Sequence, residues 1–475
     1  MHESSFENDI KKYNLLSLLR FGSNIIVNKF INHKSIESIP LGNGKITVSA
    51  WDISDINYFA IKYTHEFILE ECSYEKYLEL INNYLEYDNQ RTQYILNDHY
   101  SDKEKTLVLL WGLSRKQFWY QDILRIRDEF NRQVELLEII GKDSEFDLNF
   151  ACKQETGFSI YEYRMLLFVL AGLGMQKKSL TYINIDSESS QRYPFITKEN
   201  VEKVRNKMTA CYNTIRNSKQ NEDSFYLYPI IKTIHNEYIC VNQYMLYQKV
   251  SDAPLWAIRD YYKNRDSKRF LIYYGDLFEK YVFKLFEYYV PNTNYFRVPR
   301  RNDIKLADWI LETPKYQIII EQKAYIPEIM IKGRLPEVNR VLEYIKKYDI
   351  SFLQLESTRK EYKSSKINIK CILHYDLLNI ANSLVRENIL DRMGESIENK
   401  DDFYFIDITS FERLLTVYKN DMLLFEKIID EKRLNSKGIN REGWEFDQIL
   451  DKYEIAINRD NTIGFEHWKT YKENF

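Results

Sequence analysis

Hydrophobic spacing divides this chain into a long helical stretch and a later stretch where strands and helices interleave. Residues 44–53 (GKITVSAWDI) read as a strand, and from 54 to about 217 the rhythm is helical. In 115–140 apolar residues stand at 118, 119, 123, 124, 126, 130, 134, 137 and 140, close to a 3.6-residue period, so the segment reads as an amphipathic helix. Residues 197–217 read as another, opened by Thr197 as N-cap with Glu199 in its first turn. The polar run 217–224 (NSKQNEDS) then marks a domain boundary.

Beyond it the periods mix. Residues 225–242 read as two strands around a His-Asn turn. A helix interrupted at Pro254 runs to about 263. In 275–290 apolar residues at 277, 278, 281, 282, 285, 286 and 289 form a helical stripe. Strands are expected at 294–301, 304–312, 316–324, 367–374 and 403–408, with helices at 335–348 and 409–433. This order predicts an α/β core, at about 270–376, within a domain spanning 223–433. It follows a mainly α-helical amino-terminal domain, 1–222, and precedes a weakly patterned extension, 434–475. No internal repeat is visible.

Composition narrows the class. A chain of 475 residues, 44% hydrophobic and 29% charged, is long enough for two to four packed domains of a soluble protein. The longest apolar runs, 106–113 and 165–175, fall short of a membrane span and read as core helices. The start of the chain is polar and carries no signal peptide pattern, so a cytoplasmic location is expected. Five scattered cysteines without metal-ligand spacing argue for reduced thiols and against zinc. Net charge is −3, yet residues 291–370 carry 16 Lys and Arg against 10 Asp and Glu. A local excess of that kind is what a phosphate-binding groove needs.

The stretch 316–327 (YQIIIEQKAYIP) carries the chemistry. Three isoleucines make 316–320 a central strand buried on both faces. Glu321 and Lys323 follow, two apart, so a carboxylate and an ammonium share one face. Asp308 interrupts the apolar strand 304–312, and a turn at Thr313-Pro314-Lys315 folds that strand back as a hairpin, bringing Asp308 across from Glu321. Two carboxylates so placed attract a hard cation, with Mg2+ the usual choice. Asp303 is an alternative to Asp308 but lies in a polar turn. The tripeptide [DE]xK recurs at six or more other places, none of which follows a run of β-branched residues with an acidic residue on a preceding strand.

Asp308, twelve intervening residues, then Glu321-Gln322-Lys323 resembles the PD-(D/E)XK nuclease superfamily, the restriction-endonuclease-like fold. The resemblance covers about 270–376. It implies that Asp308, Glu321 and the backbone carbonyl of Gln322 hold Mg2+, with Mn2+ as a substitute, and that Lys323 orients or activates the attacking water. It also implies a catalytic Glu on the preceding helix, where Glu279 stands. Ala307 replaces the family's Pro before the aspartate.

The function implied is a Mg2+-dependent endonuclease hydrolysing DNA phosphodiester bonds, of the kind used in prokaryotic restriction or anti-phage defence. Arg297, Arg300, Arg301, Arg340 and Lys347 are the expected nucleic-acid contacts. No phosphate-binding loop, GxSxG or GxGxxG fingerprint is present, so ATP use is not expected. Residues 1–222 carry no detectable chemistry. By analogy with appended nuclease domains they would recognise DNA, a partner protein or an invader signal, and a partner protein or homodimer is expected to bind through them. The competing reading is a non-catalytic nucleic-acid-binding or adaptor protein on a nuclease-like fold.

Overall fold

The structure is a computed structural model describing residues 5–30, 36–41, 44–96, 101–119, 123–143, 146–176, 180–219, 223–325, 329–332, 336–375, 382–394, 402–435, 444–456, 467 and 469–471. Its strands are β1 (Ile36–Leu41), β2 (Gly44–Ser49), β3 (Thr209–Cys211), β4 (Ile230–Lys232), β5 (Tyr238–Cys240), β6 (Tyr295–Arg297), β7 (Trp309–Glu312), β8 (Tyr316–Lys323), β9 (Ile367–His374) and β10 (Phe403–Asp407). They form a two-stranded sheet, a three-stranded sheet β3-β4-β5 and a five-stranded sheet β10-β9-β8-β7-β6. Helices make up most of the rest, so the molecule is of mixed helix and sheet class.

The five-stranded sheet is mixed. β6, β7 and β8 pair antiparallel, whereas β8, β9 and β10 pair parallel. β8 lies in the middle, which explains its isoleucines. Ile319 packs on one face with Val341, Ile345 and Ile372. Ile318 and Ile320 pack on the other with Leu285, Phe286 and Leu311. The helix Val338–Glu361 supplies the crossover between the parallel strands β8 and β9. The hairpin closes as expected: Thr313 N–H donates to the Tyr316 carbonyl at 2.9 Å, and Trp309 stands opposite Ile320. Asp308, one residue before β7, therefore faces Glu321.

Several expectations are corrected. The strand at 44–53 ends at Ser49, because Ser49 and Asp52 form a capping box that starts the helix Ala50–Tyr63. The helix expected over 115–140 is helical in its described parts, within Asp102–Trp119 and Ile123–Val134, and gives way to a π-helical turn at Glu135–Ile139; residues 120–122 lie outside the described residues. The helix expected over 197–217 starts at Thr197 as read but stops at Lys207, since Thr209–Cys211 pairs with β4 instead. The helix over 409–433 is two, Ile408–Asn420 and Met422–Asn435, divided at Asp421, whose side chain accepts the Leu424 N–H.

Pro254 does not interrupt its helix, Gln243–Lys263. A helical proline leaves the carbonyl four residues back without a donor. Here that carbonyl, Val250, receives a hydrogen bond from the buried Arg164 guanidinium at 3.3 Å, and Ser251 another at 3.1 Å. A partner supplied by a distant helix is invisible to local pattern.

Nor does 217–224 separate two cores. β3 and β4 pair in parallel across it. One apolar cluster joins Phe130, Leu166 and Leu170 to Leu285, Ile318 and Leu415. The region after 433 belongs to it too: Phe446, Ile449 and Leu450 are buried, and Tyr471 packs against Phe130. The boundaries read at 222 and 433 thus mark no break in packing. Among the described residues no single helix is long and apolar enough to cross a membrane. The five cysteines carry no disulfide.

Candidate active site

The carboxyl end of β8 opens into a cleft of about 1360 Å3 that contains Glu279, Asp308, Glu321 and Lys323. Such a space is larger than the roughly 300–1,000 Å3 usual for a small-molecule site. Residues 321–323 reach it because β8 runs beyond the end of β7.

Within it the carboxylates are close. Gln322 N–H donates to Asp308 Oδ2 at 2.9 Å. Lys323 Nζ donates to Glu321 Oε1. Glu321 is 1% exposed, and its second oxygen, Oε2, is buried and receives no hydrogen bond from a described donor, with the Asp308 carboxyl beside it. Burial, then the neighbouring Asp308, pushes the Glu321 carboxyl up to about 8. Burial also raises Asp308, against the hydrogen bond from Gln322. Burial pulls the Lys323 ammonium down, but the Glu321 carboxylate more than offsets it, and the net shift is upward. Lys323 is therefore a cation at neutral pH.

These residues fit a hard divalent cation. The Glu321 oxygen without a described donor points to a missing positive partner. Strand geometry directs the Gln322 N–H and carbonyl to the same side, that of Asp308, and oxygen ligands of these kinds suit Mg2+. Gln322's side chain plays no part: its Oε1 accepts the Trp309 indole N–H at 3.1 Å. Among the described residues no group of three or more His, Cys, Asp or Glu side chains is gathered for a metal, which leaves two carboxylates and a carbonyl.

Glu279 lies on the helix Ser267–Tyr289 and enters the cleft, but its oxygens are engaged. Arg297 pairs with Oε1, and Arg300 with Oε2 at 2.8 Å. Burial raises its carboxyl despite Arg297, and Asp308 adds to the rise. Its geometry is that of a group holding two arginines rather than a cation ligand. Arg301 pairs with Glu361 at 2.6 Å and Arg340 with Glu337 at 2.8 Å. Lys347 lies over the Tyr325 and Tyr344 rings. All line the cleft. Asp303 is exposed and near Arg301, outside the lining. His374, paired with Lys323 in register, is buried.

Comparison with family models, curated proteins and solved structures finds no match. The case for the site therefore rests on its own geometry.

Lining residues not anticipated from the sequence include Leu271, Ile272, Gly275 and Tyr325. The first three lie ahead of the stripe at 277–289, on the turns before the run its period marks.

The raised Glu321 pKa has a measurable consequence. The folded state holds this proton more tightly than the unfolded chain does. Stability from this group is full below about pH 4.5 and is lost as pH rises through about 8. In EDTA, Glu321→Gln should remove that loss and raise the thermal midpoint by a few degrees at pH 8–9, with little effect at pH 5. Asp308 remains to pair with Lys323. Unchanged midpoints at both pH values would refute the shift.

Proposed function

We propose that the protein is a Mg2+-dependent nuclease of the PD-(D/E)XK kind, hydrolysing phosphodiester bonds at the cleft around Asp308, Glu321 and Lys323. The observation that carries this reading is the meeting of those three residues at the end of one central strand, with a buried Glu321 oxygen left without a described donor. Asp308, Glu321 and the Gln322 carbonyl would hold the cation. When bound, Mg2+ neutralises phosphate charge and acidifies a water.

The chain's own groups do the rest. Lys323, protonated at neutral pH, cannot take a proton from water. It donates hydrogen bonds to the attacking water or a non-bridging phosphate oxygen and stabilises the charge that develops there. Arg297 and Arg300, now turned to Glu279, are within the same cleft and can exchange that carboxylate for phosphate. Water attack at phosphorus forms the new P–O bond and breaks the bond to the leaving sugar oxygen; the water's proton passes to solvent and the leaving oxygen takes one from solvent.

The test is incubation of the full chain with plasmid and with oligonucleotides in Mg2+, Mn2+ and EDTA. Cleavage should occur with either metal and stop in EDTA. A second measurement, calorimetric titration with Mn2+, should show a site absent from Glu321→Ala. A protein that neither binds Mn2+ nor cleaves would overturn the proposal.

A further inference from the structure

The cleft is not uniformly charged, and its uncharged part lies on the helix that carries Glu279. Positions 271, 275 and 279, and positions 272 and 276, form i,i+4 rows on one face. All five line the cleft. Along this face the helix passes from apolar to acidic as it approaches Asp308. Leu271 and Ile272 are 50% and 60% exposed, and Ile304 across the cleft is 39% exposed. Ile272 stands seven residues from Glu279, roughly 10 Å along the axis, or about three stacked nucleotide steps of 3.4 Å.

Gly275 lies between them, in the middle of a helix, where glycine weakens the element. Among the described residues nothing stands within 4 Å of where its Cβ would be. No packing contact requires the missing side chain. Its effect is to keep the helix surface low beside the cleft, so a ligand can lie against the backbone.

The charge points the same way. Among the described residues, eight Lys or Arg line the cleft against six Asp or Glu. Five of the eight are paired with carboxylates: Arg297, Arg300, Arg301, Lys323 and Arg340. Duplex-binding faces are far more positive and contact phosphates and groove edges. A duplex keeps its bases stacked inside, out of reach of exposed leucine and isoleucine. An unpaired strand offers base faces to such side chains, while its backbone still follows cationic groups such as Arg297 and Arg300.

We propose that the cleft takes an unpaired nucleic-acid strand, its bases against Leu271, Ile272 and the bare backbone at Gly275, its phosphates running past Arg297 and Arg300 to Asp308. The inference rests on the nuclease reading for the position of the reacting phosphate. The experiment is fluorescence anisotropy with the full chain in Ca2+ and, in parallel, in EDTA. The probes are a labelled single-stranded DNA 15-mer, the same sequence as RNA, and its blunt duplex. The single strand should bind at least tenfold more tightly than the duplex, and the DNA and RNA arms tell which sugar is preferred. Gly275→Trp, which fills open space, should weaken single-strand binding at least tenfold with the thermal midpoint and Mn2+ titration unchanged. Leu271→Glu/Ile272→Glu, at exposed positions, should do the same if the tryptophan variant fails to fold. Equal or tighter duplex binding, or variants that bind the single strand normally, would overturn the proposal. Strand binding that persists in a protein with no Mn2+ site would sink the nuclease reading and leave the strand site standing.

Discussion

Lys323→Ala should lower cleavage by about 10²–10³-fold, the usual loss when one preorganised charge donor is removed, while Mn2+ binding survives. Glu321→Ala should abolish both. The two side chains touch, so a simple packing defect would affect both variants alike. What separates them is chemistry. Glu321 offers a cation a buried oxygen without a described donor, whereas Lys323 offers only hydrogen-bond donors and positive charge. Removing the lysine leaves Glu321 and Asp308 without their nearest cation, so the remaining pair should bind a divalent ion at least as well. Asp308→Ala should resemble Glu321→Ala, since it deletes the second carboxylate and frees the Gln322 N–H. The readouts are single-turnover cleavage rate and calorimetric Mn2+ titration. A protein with all three positions changed to alanine that still cuts at the wild-type rate ends the assignment.

The second large effect concerns stability. Arg132→Met should destabilise the fold by about 3–5 kcal/mol, because it strands a buried carboxylate. Arg132 is 3% exposed and makes paired 3.0 Å hydrogen bonds to both Glu412 oxygens and one of 2.7 Å to Glu129. Tyr281 also donates to Glu412, at 2.7 Å. One turn of the helix Ile123–Val134 thus holds the helices Ser267–Tyr289 and Ile408–Asn420. Gln133 beside it reaches the Tyr375 hydroxyl at 2.6 Å, and the Tyr375 N–H donates to the Lys323 carbonyl. Arg132→Met/Glu412→Leu should recover most of the loss, since an apolar pair replaces a desolvated one. Urea midpoints of the single and double variants measure this. A single variant as stable as the parent, or a double variant worse than the sum of the singles, would show the pair to be unimportant.

Much of the site was legible in the sequence because it is local. Three consecutive isoleucines specify a strand with two buried faces, and Thr313-Pro314-Lys315 specifies its hairpin. Together they bring Asp308 opposite Glu321 and Lys323 beside it. The stripe at 277–289 likewise announces its helix. What escaped was set by partners remote in sequence. The oxygens of Glu279 go to Arg297 and Arg300, which only folding brings near. Residues 209–211 leave a helical pattern because β4 offers a ladder. Pro254 is tolerated because Arg164 arrives from another helix.

The pairing of β3 with β4 has a practical outcome. A shortened gene starting at 223 would remove β3 and expose the backbone edge of β4, with Ile230 and Ile231 stripped of their cover. It would also take away the guanidinium that satisfies the Val250 carbonyl. Naked strand edges recruit one another, so such a fragment should come out of the cell as insoluble material. The two halves must be inherited, expressed and engineered as one object.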